Sequence, residues 1–205
     1  MGREMLLSLL IGYVLGSIPF GLLLTWAAGK GDVRKIGSGN IGATNVLRTG
    51  SKPLAAATLI LDCLKATAAI LLAHQLFGDP LNALAERYAA AGAMIGHLYP
   101  VWLRFKGGKG AATLLGVLIG LQFWSAAAIY AAVWIALLLT IRISSVAGMA
   151  AAVSAPLTAV LLDHRSLVPL LLGFAVLVLW KHRENIIRLR KGTEPRIGSK
   201  TSSTA

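Results

Sequence analysis

Cysteine is almost absent. Cys63 stands alone in 205 residues, which excludes a disulfide framework within the chain and any multi-cysteine metal centre. Set in an apolar stretch, it reads as a small core residue. Acids are scarce as well: eight Asp and Glu face 20 Lys and Arg, a net charge of +12. Charged residues of both signs make up only 14% of the chain, against about 25% in soluble domains. So few charges could not cover a water-facing surface. The nucleic-acid reading that this positive balance would suggest in a soluble protein therefore gives way to a membrane one. The cations then serve as topology signals and as ligands for anions. No internal repeat is visible, which weighs against transporter folds built from inverted repeats. No Gly-Lys-Ser/Thr occurs, so there is no Walker A loop.

Apolar residues are abundant, at 56%, with a mean hydropathy of +0.72. They predict one all-α domain, a polytopic membrane bundle of about seven transmembrane helices. Residues 1–197 form its core and 198–205 a disordered Ser/Thr-rich tail. The first ten residues resemble a signal peptide, but no small-residue cleavage site follows before Pro19, so the segment reads as a retained helix. The predicted spans cover residues 5–26, 53–74, 86–103, two segments within 111–141 split near Gln122, 146–162 and 167–180. Gly16-Ser17-Ile18-Pro19 predicts a kink near the end of the first, and Pro53 is placed to open the second.

Seven spans put the termini on opposite sides. The 30–52 loop (Lys30, Arg34, Lys35, Arg48, Lys52), the 104–110 loop (Arg104, Lys106, Lys109), Arg142 and seven cations from Lys181 onward then share one side, against Arg3, Arg87 and Arg165 on the other. Positive-inside bias makes the shared side cytoplasmic, with the N-terminus outside and the C-terminus cytoplasmic.

Two glycine loops lie on that side. Gly37-Ser38-Gly39-Asn40-Ile41-Gly42 matches G-x-G-x-x-G, but it has no strand before it and no βαβ unit around it, so a dinucleotide site is rejected. What remains is backbone that can turn consecutive N–H groups onto an anion. Thr44, Asn45 and Arg48 follow at helical spacing and can share a face. Lys106-Gly107-Gly108-Lys109-Gly110 is the second cationic glycine loop. Ser144 and Ser145 sit at a break beside Arg142, as helix caps or as ligands. His182 and Asn185 share a helical face just past the last span. His182 is either an interfacial histidine or a ligand, and Asn185 can bind glycerol-like hydroxyls. Asp62 and Lys65, three apart inside the second span, read as a mutual ion pair facing the bundle. His74 and Asp79 have the H-x-x-x-x-D spacing of an unrelated acyltransferase class, but the topology puts them on the external side, so the match reads as coincidence.

Together, Gly16-Ser17-Ile18-Pro19, the run from Gly37 to Arg48, Asp62 with Lys65, Phe105 to Gly110, and His182-Arg183-Glu184-Asn185-Ile186 resemble the bacterial acyl-phosphate:glycerol-3-phosphate acyltransferases of the PlsY type. The resemblance covers nearly the whole chain. It implies a seven-helix protein of the bacterial inner membrane. It implies acyl transfer from acyl phosphate to the first hydroxyl of glycerol 3-phosphate, giving lysophosphatidic acid and phosphate, in phospholipid biosynthesis. No cofactor or metal is implied. The partners implied are the two small-molecule substrates, the bilayer and functional coupling to the enzyme that makes acyl phosphate. Carried over residue by residue, it implies His182, Lys109, Arg48 and Ser145 at the reacting centre. Ser38, Gly39, Asn40, Gly42, Thr44, Asn45, Lys106, Gly107, Gly108, Ser144 and Asn185 would contact the substrates. Which phosphate occupies which loop stays open. An anion transporter would need a cationic path, yet Lys65 is the one base inside a span and Asp62 is beside it. A non-catalytic scaffold would not need two phosphate loops.

Overall fold

The computed structural model describes residues 2–77 and 82–198, and among these there are ten α-helices, a few 3-10 turns and no strand. The helices are α1 Arg3–Gly16, α2 Phe20–Ala27, α3 Ala43–Val46, α4 Lys52–Phe77, α5 Asn82–Leu98, α6 Ala111–Gly120, α7 Trp124–Thr140, α8 Ser144–Leu161, α9 Val168–Lys181 and α10 Arg183–Arg190. The chain divides into two compact units, Met1–Ala127 and Ala128–Ala205.

Every predicted span contains a helix, and the breaks have identifiable causes. The first span is interrupted between α1 and α2 at Ser17-Ile18-Pro19, where proline lacks the N–H that would continue the ladder. The 111–141 stretch breaks where predicted: Gln122 adopts a left-handed φ of 54° between α6 and α7. The third span differs from expectation. Its helix starts earlier, at Asn82, because Glu86 and Arg87 end a hydropathy window but not a helix. It stops at Leu98 rather than 103, because Tyr99 precedes Pro100 and the α conformation is disfavoured there. A 3-10 turn, Val101–Leu103, follows. By length and composition three helical segments can each cross a bilayer, Arg3–Ala27, Lys52–Phe77 and Ser144–Leu161, while α9 and α10 form a fourth candidate bent by 56°. The helices α6 and α7 are apolar but shorter.

The first unit packs α1 against α5, and α4 against α1, α5 and α6. The contact is backbone to backbone. Gly12 and Gly16 of α1 lie on the Ala89 and Ala93 carbonyls, while Gly92 and Gly96 of α5 lie on those of Leu9 and Tyr13; a methyl at any of the four would overlap main chain. Such small-residue seams are how helices associate in lipid, where there is no hydrophobic gain between them. The second unit packs α8 against α9; Ala147, Ala151, Ala155 and Ala159 of α8 and Leu171, Phe174 and Val178 of α9 are buried.

In both units much of the buried surface is alanine while many large aliphatic residues face outward: Ala66, Ala93 and Ala151 are fully buried, while Leu76 is 56% and Leu161 82% exposed. Water would reverse that distribution; lipid accommodates it.

Candidate active site

The 30–50 segment is an ordered structure built on one buried amide. Asn45, 2% exposed, donates through Nδ2 to the carbonyls of Val33 at 2.8 Å, Ile36 at 3.0 Å and Asn40 at 2.7 Å. Its Oδ1 accepts from the Ser38 N–H at 3.1 Å, the Ser38 hydroxyl at 3.3 Å and Arg48 Nη1 at 3.1 Å. One side chain thus closes the glycine loop and ties Arg48 to it, as the spacing of three predicted. Gly37 and Gly39 have φ of 55° and 68°. At Gly37 a side chain would also collide with Arg48 and Asn45. Asn40 Oδ1 accepts from the Gly42 N–H at 2.8 Å, an Asx turn leading into α3. Ser38 and Gly39 are exposed at the rim, Thr44 is half-buried and the Arg48 side chain reaches solvent. Beneath, Val33, Ile41, Val46 and Ala55 form an apolar floor on which Leu103 packs.

That contact brings in the second glycine loop. Arg34 and Lys106 line one open cleft of about 420 Å³, together with Trp102, Leu103 and Arg104. Asp32 is the acid beside it. It caps the 3-10 turn Val33–Lys35 and grips the Arg34 guanidinium at 2.7 Å. Chiefly through those side-chain hydrogen bonds, its carboxyl is held down at about 2. The loop is fastened at its base. The Gly107 N–H donates to the Leu98 carbonyl at 3.3 Å and the Gly108 N–H to that of His97 at 3.0 Å, so carbonyls left over at the end of α5 find donors. Side chains at either glycine would overlap His97. Lys109 follows, half-buried, and Gly110, at φ 90°, is the N-cap of α6.

The second unit holds the remaining expected residues. Ser144 and Ser145 are not caps: Ile143 occupies that position without a side-chain cap bond, and both serines lie in the first turn of α8. The tail returns to them. The Ile197 N–H donates to the Arg142 carbonyl at 2.7 Å, and Arg142 Nη2 donates to the Ile197 carbonyl at 2.8 Å. Between these anchors and α10 lies Glu194, a residue the sequence reading passed over. Its Oε1 accepts from the Ser145 hydroxyl at 2.7 Å and from Asn185 Nδ2 at 2.6 Å, and its Oε2 from Arg188 Nε at 2.7 Å. Burial pushes the Glu194 carboxyl up, but the hydrogen bonds from Ser145, Asn185 and Arg188 outweigh it, and the group ends below its ordinary value. His182, at the bend between α9 and α10 and 4% exposed, donates from Nδ1 to the Val178 carbonyl at 2.8 Å. A carbonyl can only accept, so Nδ1 carries a proton.

Asp62 and Lys65 do form an ion pair, at 2.7 Å. His97 joins them, a third member absent from the sequence reading. His74 pairs with Glu86 at 2.6 Å, while Asp79, its partner in the H-x-x-x-x-D spacing, lies outside the described residues, as does the predicted tail from 199 on. Glu194 had a visible signal, since it and Glu184 are the acids in a strongly cationic stretch from Lys181 onward. His97 had one too, in its place six residues before the end of the predicted 86–103 span, which runs into the lysine-glycine loop.

Among the described residues no group of three or more His, Cys, Asp or Glu is placed to hold a metal ion. What the arrangement offers is backbone N–H groups, cations and hydroxyl-bearing or amide side chains. That donor set suits phosphate and polyol recognition.

The glycerol-3-phosphate acyltransferase family model matches residues 6–192. A glycerol-3-phosphate acyltransferase of Mesorhizobium japonicum is 57% identical, over 96% of this chain and 97% of its own. One of Rhodopseudomonas palustris strain HaA2 is 54% identical, over 94% and 95%. The fold is similar to a crystal structure of PlsY, an integral membrane glycerol 3-phosphate acyltransferase, in its glycerol 3-phosphate form, with TM-score 0.86 and 36% identity over 95% of this chain and 96% of that one. The lysophosphatidic acid form of PlsY gives a TM-score of 0.84 at 36% identity, covering 95% of each chain. On these matches, and on a packing scheme that requires lipid around it, the chain belongs to the glycerol-3-phosphate acyltransferase family of multi-pass membrane proteins.

Proposed function

We propose that this protein transfers an acyl group from acyl phosphate to the first hydroxyl of glycerol 3-phosphate, releasing lysophosphatidic acid and inorganic phosphate. The observation that carries the reading is the Asn45-closed loop, which holds Ser38, backbone N–H groups and Arg48 in one unit beside a second cationic glycine loop. Two phosphate-bearing substrates call for two such loops. The named activity of the relatives supports the acceptor. The donor is inferred from chemistry: acyl phosphate is already activated, so the protein needs to position and to stabilise charge rather than to form a covalent intermediate.

In this reading Ser38, Gly39, Asn40, Gly42 and Thr44 hold the acyl phosphate. Arg48 offers a bidentate contact and Lys109 a point charge to glycerol 3-phosphate, with Lys106, Gly107 and Gly108 shaping that loop. His182, Asn185 and the Ser144–Ser145 pair serve the glycerol end. The hydroxyl oxygen attacks the acyl carbon, the bond from that carbon to the phosphate oxygen breaks, and the departing phosphate takes the hydroxyl proton. His182 binds and does not act as base. The chain spans the inner membrane seven times, N-terminus outside, with the reaction on the cytoplasmic side as the distribution of cations indicates.

Purified protein in detergent, given acyl phosphate and glycerol 3-phosphate, should release phosphate, and acyl-CoA should not replace the donor. No release, with uptake of phosphate ester by proteoliposomes instead, would leave the enzyme reading without support. His182→Asn should lose less than about tenfold, whereas a general base is worth about 10²–10⁴.

A further inference from the structure

His97 takes no part in the reaction above, yet it is 4% exposed and lies between the Asp62–Lys65 pair and the Lys106–Gly110 loop. Three groups surround Lys65 Nζ: the Ile18 carbonyl at 2.8 Å, Asp62 Oδ1 at 2.7 Å and His97 Nδ1 at 3.0 Å. The Phe20 ring adds a cation–π contact, its centroid 5.8 Å away. The approach to Asp62 Oδ1 is an ion pair rather than a well-aligned hydrogen bond. An ammonium has three protons and no lone pair, so His97 Nδ1 must accept. If the pair instead shares its proton as a neutral amine and acid, the amine's lone pair faces Asp62, and its two protons go to Ile18 and to His97. Nδ1 accepts in both cases, and a neutral ring carries its one proton on Nε2.

That edge of the ring is turned toward the glycine loop. A methyl on Gly108 would overlap Nε2 and Cε1 of His97, and one on Gly107 would overlap the His97 carbonyl. The same carbonyl accepts from the Gly108 N–H at 3.0 Å. The loop is therefore moulded on His97 by both backbone and ring, one residue before Lys109. At the other end, Lys65 donates to the Ile18 carbonyl, which at the break before Pro19 has the short-range Phe20 N–H at 3.2 Å in place of a helical partner. This gives a purpose to a charged pair inside a span, where charges are costly unless used.

We propose that Asp62, Lys65 and His97 form a positioning triad for the Lys106–Gly110 loop. Lys65, held by Asp62 and by the α1–α2 break, fixes His97 as the Nε2–H tautomer. The oriented ring and its carbonyl then set where Lys109 presents its charge to the acceptor phosphate. The last step rests on the acyl-transfer reading; the tautomer does not.

Ring ¹⁵N spectra of histidine-labelled protein at pH 7, with His97 assigned by its loss in His97→Asn, read the tautomer in the wild-type chain. A neutral Nε2–H ring is expected; an Nδ1–H or doubly protonated ring overturns the proposal. Steady-state kinetics test the consequence. His97→Asn keeps an acceptor near the Nδ1 position and His97→Leu does not. The KM for glycerol 3-phosphate should stay within about threefold for Asn and rise by about tenfold or more for Leu, with a smaller change in kcat. Equal KM values for the two variants, or a loss confined to kcat, overturn the positioning role. Without turnover in the wild type, the acyl-transfer reading fails while the spectrum still decides the tautomer.

Discussion

The two compact units hold their candidate residues by opposite means. In the first, the candidate donors are backbone N–H groups. Asn45 and His97 act as templates on which two glycine loops are bent, and the cations stand at the rim. In the second, the candidate groups are side chains, and the Glu194 carboxylate fixes them from behind by accepting hydrogen bonds from Ser145, Asn185 and Arg188. A loop that binds through N–H groups needs every competing carbonyl satisfied internally. A set of hydroxyl and amide side chains needs an acceptor that removes their rotational freedom. The difference follows from what each unit has to spare: glycines in one, a returning cationic tail with one well-placed acid in the other.

Breaking the first arrangement at its charge should have the largest effect. Arg48→Ala is expected to lower phosphate release by about 10²-fold or more. Arg48→Lys should recover only part of that, because an ammonium cannot make the forked contact. Breaking it at the template is next. Asn45→Ala removes the side-chain donor of the Val33, Ile36 and Asn40 carbonyls, the first two of which keep a backbone donor, and the acceptor of the Ser38 N–H. It should cost about 2–3 kcal/mol, read as a lower thermal midpoint in detergent together with a higher KM for the substrate phosphates.

The second arrangement is sharpened by pH. Glu194 has a folded pKa below its ordinary 4.5. Its contribution is therefore complete above that ordinary value and is lost as pH falls through the lower, folded one. Tail docking, followed by limited proteolysis after Arg196, should be constant from neutral pH down to the ordinary carboxylate range and weaken only below it. Glu194→Gln should loosen the tail at neutral pH and remove that acid-side component. The smallest effect is expected at Asp32. Its bond to Arg34 is solvent-exposed, and exposed pairs contribute about 0–1 kcal/mol. Asp32→Asn should change turnover by less than about twofold.

Much of this was legible in one dimension. The breaks at Pro19 and Gln122 followed from helix chemistry and length, and the Asn45–Arg48 and Asp62–Lys65 contacts followed from a spacing of three on a helix. The end of α5 was misplaced because hydropathy runs on past Pro100 while the backbone does not. The glycine seams of α1 and α5 were present as Gly12-x-x-x-Gly16 and Gly92-x-x-x-Gly96, but a sequence does not say which seam meets which.

By itself, the sequence determined a helical membrane protein with two cationic glycine loops, because period, charge scarcity and glycine spacing are local properties of the chain. Only the tertiary structure decided what holds those loops and their partner side chains. Lys65 reaches Ile18 across 47 positions and His97 across 32, and Ser145 reaches Glu194 across 49. No local preference encodes such pairs. They form because a buried ammonium, imidazole or carboxylate must find its complement wherever packing brings one within reach.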